Sequence, residues 1–329
     1  MAEMNPKSQS PSLHVPARDV PIPAHLSPQA QAMLANLPMA APEWPPVEDK
    51  QAWRALKDAM DSQGLAVLGQ LARNFAGTSA ELNAGGARVY EVVPDGVADD
   101  CVYLDVHGGS LVWGGGESCR AMGMATAAMV RARVWAVDYR MPPDDPYPAG
   151  LDDCVAAYRA LLKQAPPEKV IVGGASAGGN LAAALILRAR DEGLPLPAAA
   201  VLNTPELDLT ESGDSFYTNL GVDQALAPLM PANLLYADGH ELTDPYVSPL
   251  FGDFSRGFPP TFLQTGTRDL FLSNTVRMHR ALRAFDIVAE LHVFEAACHI
   301  MFIGAPEADE RTREVRRFVD RHWGRQARS

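Results

Sequence analysis

The sequence predicts an α/β fold in which a mostly parallel central sheet is flanked by helices. From Ala87 onward, short apolar runs are separated by longer amphipathic stretches. Within few of the apolar runs do polar and apolar residues alternate. Strands without that alternation are buried on both faces, which is typical of parallel sheets covered by helices. The chain has 329 residues, 47% of them hydrophobic, which is enough for one large core.

Apolar runs and helical periodicity together predict the order of elements along this region. The predicted strands are Arg88–Val92, Cys101–Val106, Arg133–Asp138, Lys169–Val172, Ala199–Leu202, Thr261–Gln264 and Glu290–Phe294. The predicted helices are Met122–Arg131, Leu151–Gln164, Asn180–Glu192, Asn274–Phe285 and Glu307–Trp323. The alternation of the two sets places a helix after most strands, as parallel crossover connections require.

Two regions lie outside this regular alternation. Ten of the 27 prolines fall in the first 46 residues, so residues 1–80 are predicted to form an irregular arm with two helices, one from Pro28 to about Leu37 and one from Glu48 to about Phe75. Almost sixty residues separate the strands ending at Leu202 and beginning at Thr261. Because this connection leaves the carboxyl edge of the sheet, where α/β proteins bind ligands, residues 210–240 are predicted to contribute to a cap.

Composition excludes several classes of function. A formal net charge of −12 disfavours nucleic acid as a partner, because nucleic acid is bound through basic patches. No apolar run reaches about 18 residues, and the first residues lack a signal-peptide core, so we expect no membrane span and a cytoplasmic location. The cysteines have no metal-binding spacing, so we expect no metal site. They are Cys101, Cys119, Cys154 and Cys298.

A glycine-flanked serine, Ser176, stands between a predicted strand and a predicted helix. The segment Gly174-Ala175-Ser176-Ala177-Gly178 follows an apolar run and opens an alanine-rich stretch. A serine on such a tight turn adopts a strained backbone and projects its hydroxyl from the end of the sheet, which is the position of a hydrolase nucleophile.

An activated serine needs an imidazole to accept its proton and a carboxylate to orient that imidazole. Four histidines follow Ser176 by enough sequence to come from a later strand, and of these only His299 lies in a loop just beyond the last predicted strand; the others are His279, His292 and His322. Asp269 follows the strand before it, and Asp208 is the competing acid one strand earlier. The order Ser176, Asp269, His299 is the one expected for a nucleophile on this kind of strand-to-helix turn, so Asp269 is preferred.

A glycine-rich loop at the end of another predicted strand supplies candidates for an oxyanion hole. Gly108, Gly109 and Ser110 follow the strand that ends at Val106 and form the oxyanion loop. Backbone amides of such small residues can bind an oxyanion without obstruction. The amide of Ala177, directly after the nucleophile, completes the set. His107 precedes these donors, and a structural role for it is preferred over proton transfer.

Further short segments follow in the same order along the chain: Asp138-Tyr139-Arg140, Pro148-Ala149, Asp244-Pro245, Ser248-Pro249-Leu250 and Phe302. Together with the serine and oxyanion segments they resemble the bacterial hormone-sensitive-lipase family of esterases. The resemblance implies an α/β-hydrolase fold, with cap helices in residues 1–80, a catalytic domain in 81–329 and a cap insertion at about 210–240. It also implies hydrolysis of short-to-medium acyl esters without a cofactor. The implied oxyanion donors are Gly109, Ser110 and Ala177, with Gly108 shaping the turn.

Some positions depart from the pattern of that family and leave the substrate open. Ala175 stands where Asp or Thr is common, and a run of glycines, Gly114–Gly116, followed by Glu117 lies just past the oxyanion loop. Candidate substrate-binding residues are Trp113, Phe216 and Leu226. Lactonase or amidase activity would use the same triad, and a small-ligand-binding protein without catalysis is a further alternative. A homodimer is compatible with the sequence but is not indicated by any motif.

Overall fold

The computed structural model describes residues 12–36, 42–97 and 100–325, and within these ranges the core is an eight-stranded sheet. The strands are β1 (Gly77–Ala84), β2 (Ala87–Pro94), β3 (Val102–Val106), β4 (Arg133–Asp138), β5 (Val170–Ala175), β6 (Ala199–Asn203), β7 (Thr261–Gly266) and β8 (Ala289–Phe294). Their order across the sheet is β1-β2-β4-β3-β5-β6-β7-β8. Strands β3 to β8 pair in parallel, which confirms the predicted mostly parallel sheet.

The first strand was not predicted. β1 is rich in polar residues and lies at the edge of the sheet, where it pairs antiparallel with β2. The two-residue turn between them is Gly85-Gly86, and both glycines have positive φ, 69° and 103°, as the tight hairpin turn requires. An edge strand with mostly polar residues lacks the apolar signal by which the other seven were found, although the glycine pair was a hairpin signal. β1 also spans the predicted domain boundary at residue 80.

Most of the helices lie where periodicity predicts them, whereas the two within residues 210–240 had no predicted bounds. They are α1 (Pro28–Asn36), α2 (Lys50–Arg73), α3 (Glu117–Val130), α4 (Ala149–Leu161), α5 (Ala177–Asp191), α6 (Ser215–Thr218), α7 (Met230–Ala237), α8 (Leu272–Arg283) and α9 (Pro306–His322). α3 begins five residues before the predicted Met122, because the polar start of this helix, at Glu117, carries no apolar period. The predicted end of α1 near Leu37 lies outside the described residues.

The sheet is covered on both faces, so consecutive strand residues are buried on opposite sides. Tyr103 packs in the cluster that includes α3 and α9, whereas its neighbour Leu104 packs in the cluster that includes α4, α5 and α8. All five residues of β3 are buried. This arrangement keeps the carboxyl ends of the strands as the edge from which functional loops leave the sheet.

Helices from the N-terminal region contact loops at this edge. Trp53 of α2 is fully buried in a cluster with Val112, just past the oxyanion loop, and with Ala232 of α7. Leu34 of α1 packs in a cluster with Met301, two residues beyond His299. The division into a cap and a catalytic domain remains a prediction, but segments of both predicted cap regions lie against these loops. No helix within the described ranges is both long and apolar enough to span a membrane.

Candidate active site

Ser176 occupies a strained turn between β5 and α5. Its backbone has φ 57° and ψ −125°, and a positive φ is unfavourable for a residue with a side chain. The amide of Ser176 donates to the carbonyl of Asn203 at the end of β6 (2.9 Å), and its carbonyl accepts from Gly179 (2.9 Å). These bonds hold the strained residue at the carboxyl edge of the sheet, at the N-terminus of α5.

The glycines on either side of this turn are required by close backbone contacts. A Cβ at Gly178 would lie 1.9 Å from the carbonyl oxygen of Val106, and one at Gly174 would lie 2.3 Å from that of Gly178. Neither position has room for a side chain. The turn therefore packs directly on the end of β3, the strand that leads into the oxyanion loop.

The oxyanion loop lies against the Ser176 turn. A Cβ at Gly108 would be 2.9 Å from the carbonyl oxygen of Ala175 and 3.3 Å from the Cβ of Ser176. Gly109 has φ 130°, and a Cβ there would be 2.0 Å from the carbonyl oxygen of Trp113. The structure thus brings together the two segments that the sequence predicted for one site.

Four amides of these two segments have no hydrogen-bond acceptor in the described part of the chain. They belong to Gly108, Gly109, Ser110 and Ala177. Ala177 is the first residue of α5, where helix geometry leaves the N–H group without an intrahelical partner. Free amides beside a serine can stabilise a negatively charged oxygen, which is the chemistry of an oxyanion hole.

The acid and the base come from the loops after β7 and β8. Nδ1 of His299 lies 3.1 Å from Oδ1 of Asp269, whose side chain is fully buried. The Asp269 carboxylate also accepts from the Thr265 hydroxyl (2.7 Å) and from the amide of Phe271 (3.0 Å). A carboxylate held in this way keeps a proton on Nδ1, so that Nε2 is the nitrogen able to accept one.

The charges around His299 raise its pKa. Burial is the largest single influence and lowers the pKa of the imidazole, but the charge and hydrogen bond of Asp269 and weaker contributions from neighbouring carboxyls together raise it by more. The net result is a pKa above the ordinary 6.5. The surroundings therefore favour the imidazolium that proton transfer from a serine would generate.

Glu206 connects the serine to the surroundings of the histidine. Its amide donates to the carbonyl of Ser176 (3.1 Å), and its buried carboxyl is close enough to His299 to affect the pKa of the imidazole.

Among the described residues, no hydrogen bond joins the Ser176 hydroxyl to the imidazole. In ligand-free hydrolases this bond is often long and tightens when substrate is bound.

The competing acid, Asp208, has different partners. Its buried carboxylate accepts from the hydroxyls of Thr210 and Ser212 and forms an ion pair with Arg277 (2.5 Å). Of the two candidate acids, Asp269 is the one hydrogen-bonded to His299.

His107 supports the oxyanion loop. Its Nδ1 donates to the carbonyl of Gly108 (2.8 Å), its ring stacks on Tyr139 with centroids 4.1 Å apart, and the Tyr139 hydroxyl donates to its carbonyl (2.9 Å). Burial lowers the pKa of His107. These contacts favour the structural role over proton transfer.

His107 is also part of the one group among the described residues that could hold a metal ion. Its ring, the Cys119 thiol and the Asp138 carboxylate offer donor atoms within 4.8 Å of one another. The Asp138 carboxylate, however, already accepts from the amide of Gly116 (3.0 Å) and forms an ion pair with Arg88. A second cation at this carboxylate would be repelled by the guanidinium. The hydrogen bond from the Gly116 amide to Asp138 also gives a structural role to the glycine run, Gly114–Gly116, which the sequence left unexplained.

The three predicted substrate-binding residues occupy different environments. Trp113 is partly buried and stacks on Trp44, with ring centroids 5.9 Å apart. Phe216 is buried against Phe271 of the Asp269 loop (5.8 Å), and Leu226 packs in the same cluster. Their role in binding substrate stays a prediction, and the Phe216 contact shows that the insertion packs directly on the acid loop.

Two residues of the insertion contact the acid and base loops and were not identified from the sequence. The side-chain amide of Asn219 donates to the carbonyl of Asp269 (2.8 Å), and the Asp223 carboxylate accepts from the amide of His299 (3.2 Å). These contacts join positions 50 and 76 residues apart. Because they depend on tertiary structure, no local pattern in the sequence signals them.

Proteins of known family resemble this chain in sequence over most of the α/β region. A model of the alpha/beta hydrolase fold matches residues 103–303. An acetyl-hydrolase of Streptomyces hygroscopicus is 38% identical over 186 residues, which cover 56% of this chain and 62% of that protein, less than two thirds of its length. An esterase of Acinetobacter venetianus is 31% identical over 236 residues, covering 69% of this chain and 77% of that protein.

Solved structures agree with these matches over almost the whole chain. The crystal structure of an esterase designated E25 has a TM-score of 0.88 and 36% identity, covering 94% of this chain and 99% of that chain. An esterase described as belonging to the bacterial hormone-sensitive lipase family has a TM-score of 0.77 and 28% identity, covering 91% and 99%.

Proposed function

We propose that this chain, which belongs to the bacterial hormone-sensitive-lipase family of esterases and has the α/β-hydrolase fold, is a carboxylic ester hydrolase that works through a triad of Ser176, His299 and Asp269. One observation carries the proposal: the oxyanion loop packs against the Ser176 turn, and the amides of Gly108, Gly109, Ser110 and Ala177 have no acceptor within the described residues. The hydrogen bond between Asp269 and His299 supports it from the other half of the site.

In the proposed reaction, Oγ of Ser176 attacks the ester carbonyl carbon while Nε2 of His299 takes the hydroxyl proton. The carbonyl π electrons move to the oxygen, and the resulting oxyanion accepts hydrogen bonds from the amides of Gly109, Ser110 and Ala177. Collapse of this intermediate expels the alkoxide, which receives the proton from His299 and leaves as alcohol.

Water then releases the acyl group by the same steps. His299 takes a proton from water as the hydroxide oxygen bonds to the acyl carbon, and the second tetrahedral intermediate expels Ser176, which recovers its proton. Asp269 holds the ring and stabilises the imidazolium in both halves of the cycle. None of these steps needs a cofactor.

We infer short-to-medium acyl esters as substrates. The relative from Streptomyces hygroscopicus is named an acetyl-hydrolase, which supports a small acyl group. A panel of p-nitrophenyl esters from acetate to decanoate, together with lactones and anilides, measures the acyl preference and the competing lactonase and amidase activities. A higher kcat/KM for a lactone or an anilide than for any of the esters would contradict this choice of substrate.

The first test of the triad is Ser176→Ala with p-nitrophenyl butyrate as substrate. We expect kcat to fall by several orders of magnitude, because the nucleophile is lost. Ser255→Ala, at an exposed serine of a short turn, is the matched control and should retain the wild-type rate. Equal rates for Ser176→Ala and the wild type would refute the assignment. Labelling of Ser176 by a fluorophosphonate tests its activation independently of any substrate.

A further inference from the structure

The carboxylate of Asp223 lies between the loop that carries the acid and the loop that carries the base. Its Oδ2 accepts from the amide of Leu270 (2.8 Å) and from the amide of His299 (3.2 Å). Its Oδ1 accepts from the amides of Ala225 (3.0 Å) and Leu226 (3.2 Å). Asp223 is only 3% exposed, so all four bonds are shielded from water.

These two oxygens serve different purposes. The bonds of Oδ1 are local and form the turn that follows Asp223 in the insertion. The bonds of Oδ2 reach chain segments 47 and 76 residues away, and Leu270 is the residue directly after Asp269. A turn-forming aspartate needs only the first pair, so the second pair calls for another explanation.

Asn219 strengthens the same connection. Its side-chain amide donates to the carbonyl of Asp269 (2.8 Å), and its own carbonyl accepts from the amide of Asp223 (2.8 Å). The insertion therefore holds the backbone of the acid residue and the backbone of the base residue through one short segment. Movement of this segment would change the distance between the Asp269 carboxylate and the His299 ring.

Asp223 also places charge beside the imidazole. Among the carboxyls that raise the pKa of His299, Asp223 comes second after Asp269. Burial raises the pKa of the nearby Cys298 thiol to about 11, so this neighbour stays neutral. Burial, with a smaller contribution from Asp269, raises the pKa of Asp223 above its ordinary value, and His299 and the amide donors offset only part of this rise by stabilising the carboxylate.

We propose that Asp223 is a positioning residue for the hydrolytic reaction: it holds the Asp269 and His299 loops at their working distance and adds a second carboxylate beside the imidazolium. The inference rests on the proposed function, because it assigns a partner to the proposed base. In this role the insertion helps to orient the base, in addition to any contact that the insertion makes with substrate.

The test compares Asp223→Asn with Asp208→Asn. Both remove a buried carboxylate near the carboxyl edge, but the Asp208 carboxylate pairs with Arg277 and, among the described residues, has no hydrogen bond to Ser176, Asp269 or His299. For each variant, kcat and KM for p-nitrophenyl butyrate are measured across pH, and stability is followed by thermal unfolding. The acid limb of the kcat/KM profile is the fall of kcat/KM toward low pH, and its midpoint reports the pKa of the base in the free enzyme.

For Asp223→Asn we expect kcat to fall between about tenfold and a hundredfold with little change in KM, the cost of a slightly misplaced catalytic group. The acid limb should move to lower pH, because one of the charges that stabilise the imidazolium is gone. Asp208→Asn should lower the unfolding temperature but keep both kcat and the acid limb of the wild type. Asp223→Glu keeps the charge while displacing it, so its acid limb should stay near that of the wild type while kcat falls.

Three outcomes overturn the inference. They are wild-type kcat in Asp223→Asn, a reduced kcat with an unmoved acid limb, and an equal shift of that limb in Asp208→Asn. If Asp223→Asn does not fold, the acid limb of Asp223→Glu decides, and a limb moved to lower pH refutes the role of the charge. Fluorophosphonate labelling separates this result from the proposed function: an unlabelled wild type refutes the triad, whereas a labelled wild type with an unaffected Asp223→Asn refutes only the positioning role.

Discussion

Replacing Glu206 by glutamine should stabilise the protein, and by more at alkaline than at acidic pH. Glu206 is fully buried, and a hydrogen bond with the Asn233 side chain offsets only part of the effect of that burial on its carboxyl group. Burial, with a smaller contribution from the neighbouring Glu211 carboxyl, raises the pKa of Glu206 from 4.5 to about 8. The folded protein therefore keeps a proton that the unfolded chain releases.

The sign and size of the effect follow from that difference in protonation. Between pH 4.5 and about 8 the folded state binds one more proton at Glu206 than the unfolded state, so stability falls as pH rises. At 1.36 kcal/mol per pH unit, the difference between 4.5 and about 8 corresponds to a loss of about 5 kcal/mol, as an upper limit. Glutamine has no proton to lose and avoids this cost.

Urea unfolding of the wild type and Glu206→Gln at pH 5, 6, 7 and 8 measures the effect. The stability gain of the variant should be small at pH 5 and should increase up to about pH 8, toward the limit of about 5 kcal/mol. Glu241→Gln, at an exposed glutamate, is the control and should show no such increase. A gain that is constant from pH 5 to pH 8, or larger at pH 5, would refute the reasoning.

Two further predictions concern the base and the nucleophile turn. The acid limb of kcat/KM should lie above pH 6.5, because the carboxyls around His299, Asp269 foremost, together outweigh burial and raise its pKa. Asp269→Asn should move this limb to lower pH and reduce kcat by about 10⁴-fold, and an unmoved limb in the variant contradicts this. Gly178→Ala should prevent normal folding, since its Cβ would lie 1.9 Å from the carbonyl oxygen of Val106, whereas Gly221→Ala, where φ is 73° and the space is open, should cost about 1 kcal/mol in urea unfolding. Equal stability of these two glycine variants would contradict the steric argument.

The sequence was sufficient to predict how the strands bring distant residues to one edge. Ser176, Asp269 and His299 each follow an apolar strand, and the carboxyl ends of parallel strands meet at the same edge of a sheet. Periodicity therefore placed three residues near one another without any knowledge of their contacts. The hydrogen bond between Asp269 and His299 agrees with that expectation.

The features that sequence did not predict depend on long-range contacts or on weak local signals. β1 is mostly polar, so its pairing with β2 depends on an available sheet edge more than on its own residues. Glu206 and Asp223 read as ordinary polar loop residues, because an aspartate or glutamate in a loop is usually exposed. Only the packed structure shows that Glu206 is fully buried and that Asp223 is 3% exposed.

The two halves of the site are held in place by different kinds of interaction. The Ser176 turn depends on its own backbone, since Gly174 and Gly178 leave no room for a side chain against β3. The acid and base loops depend on side chains from elsewhere in the chain: Asp223 bonds to the backbone of His299, and the cluster around Leu34 of α1 contains Met301. Substitutions near Ser176 should therefore act through local steric conflict, whereas His299 should also respond to changes in the insertion and in α1, far from it in sequence.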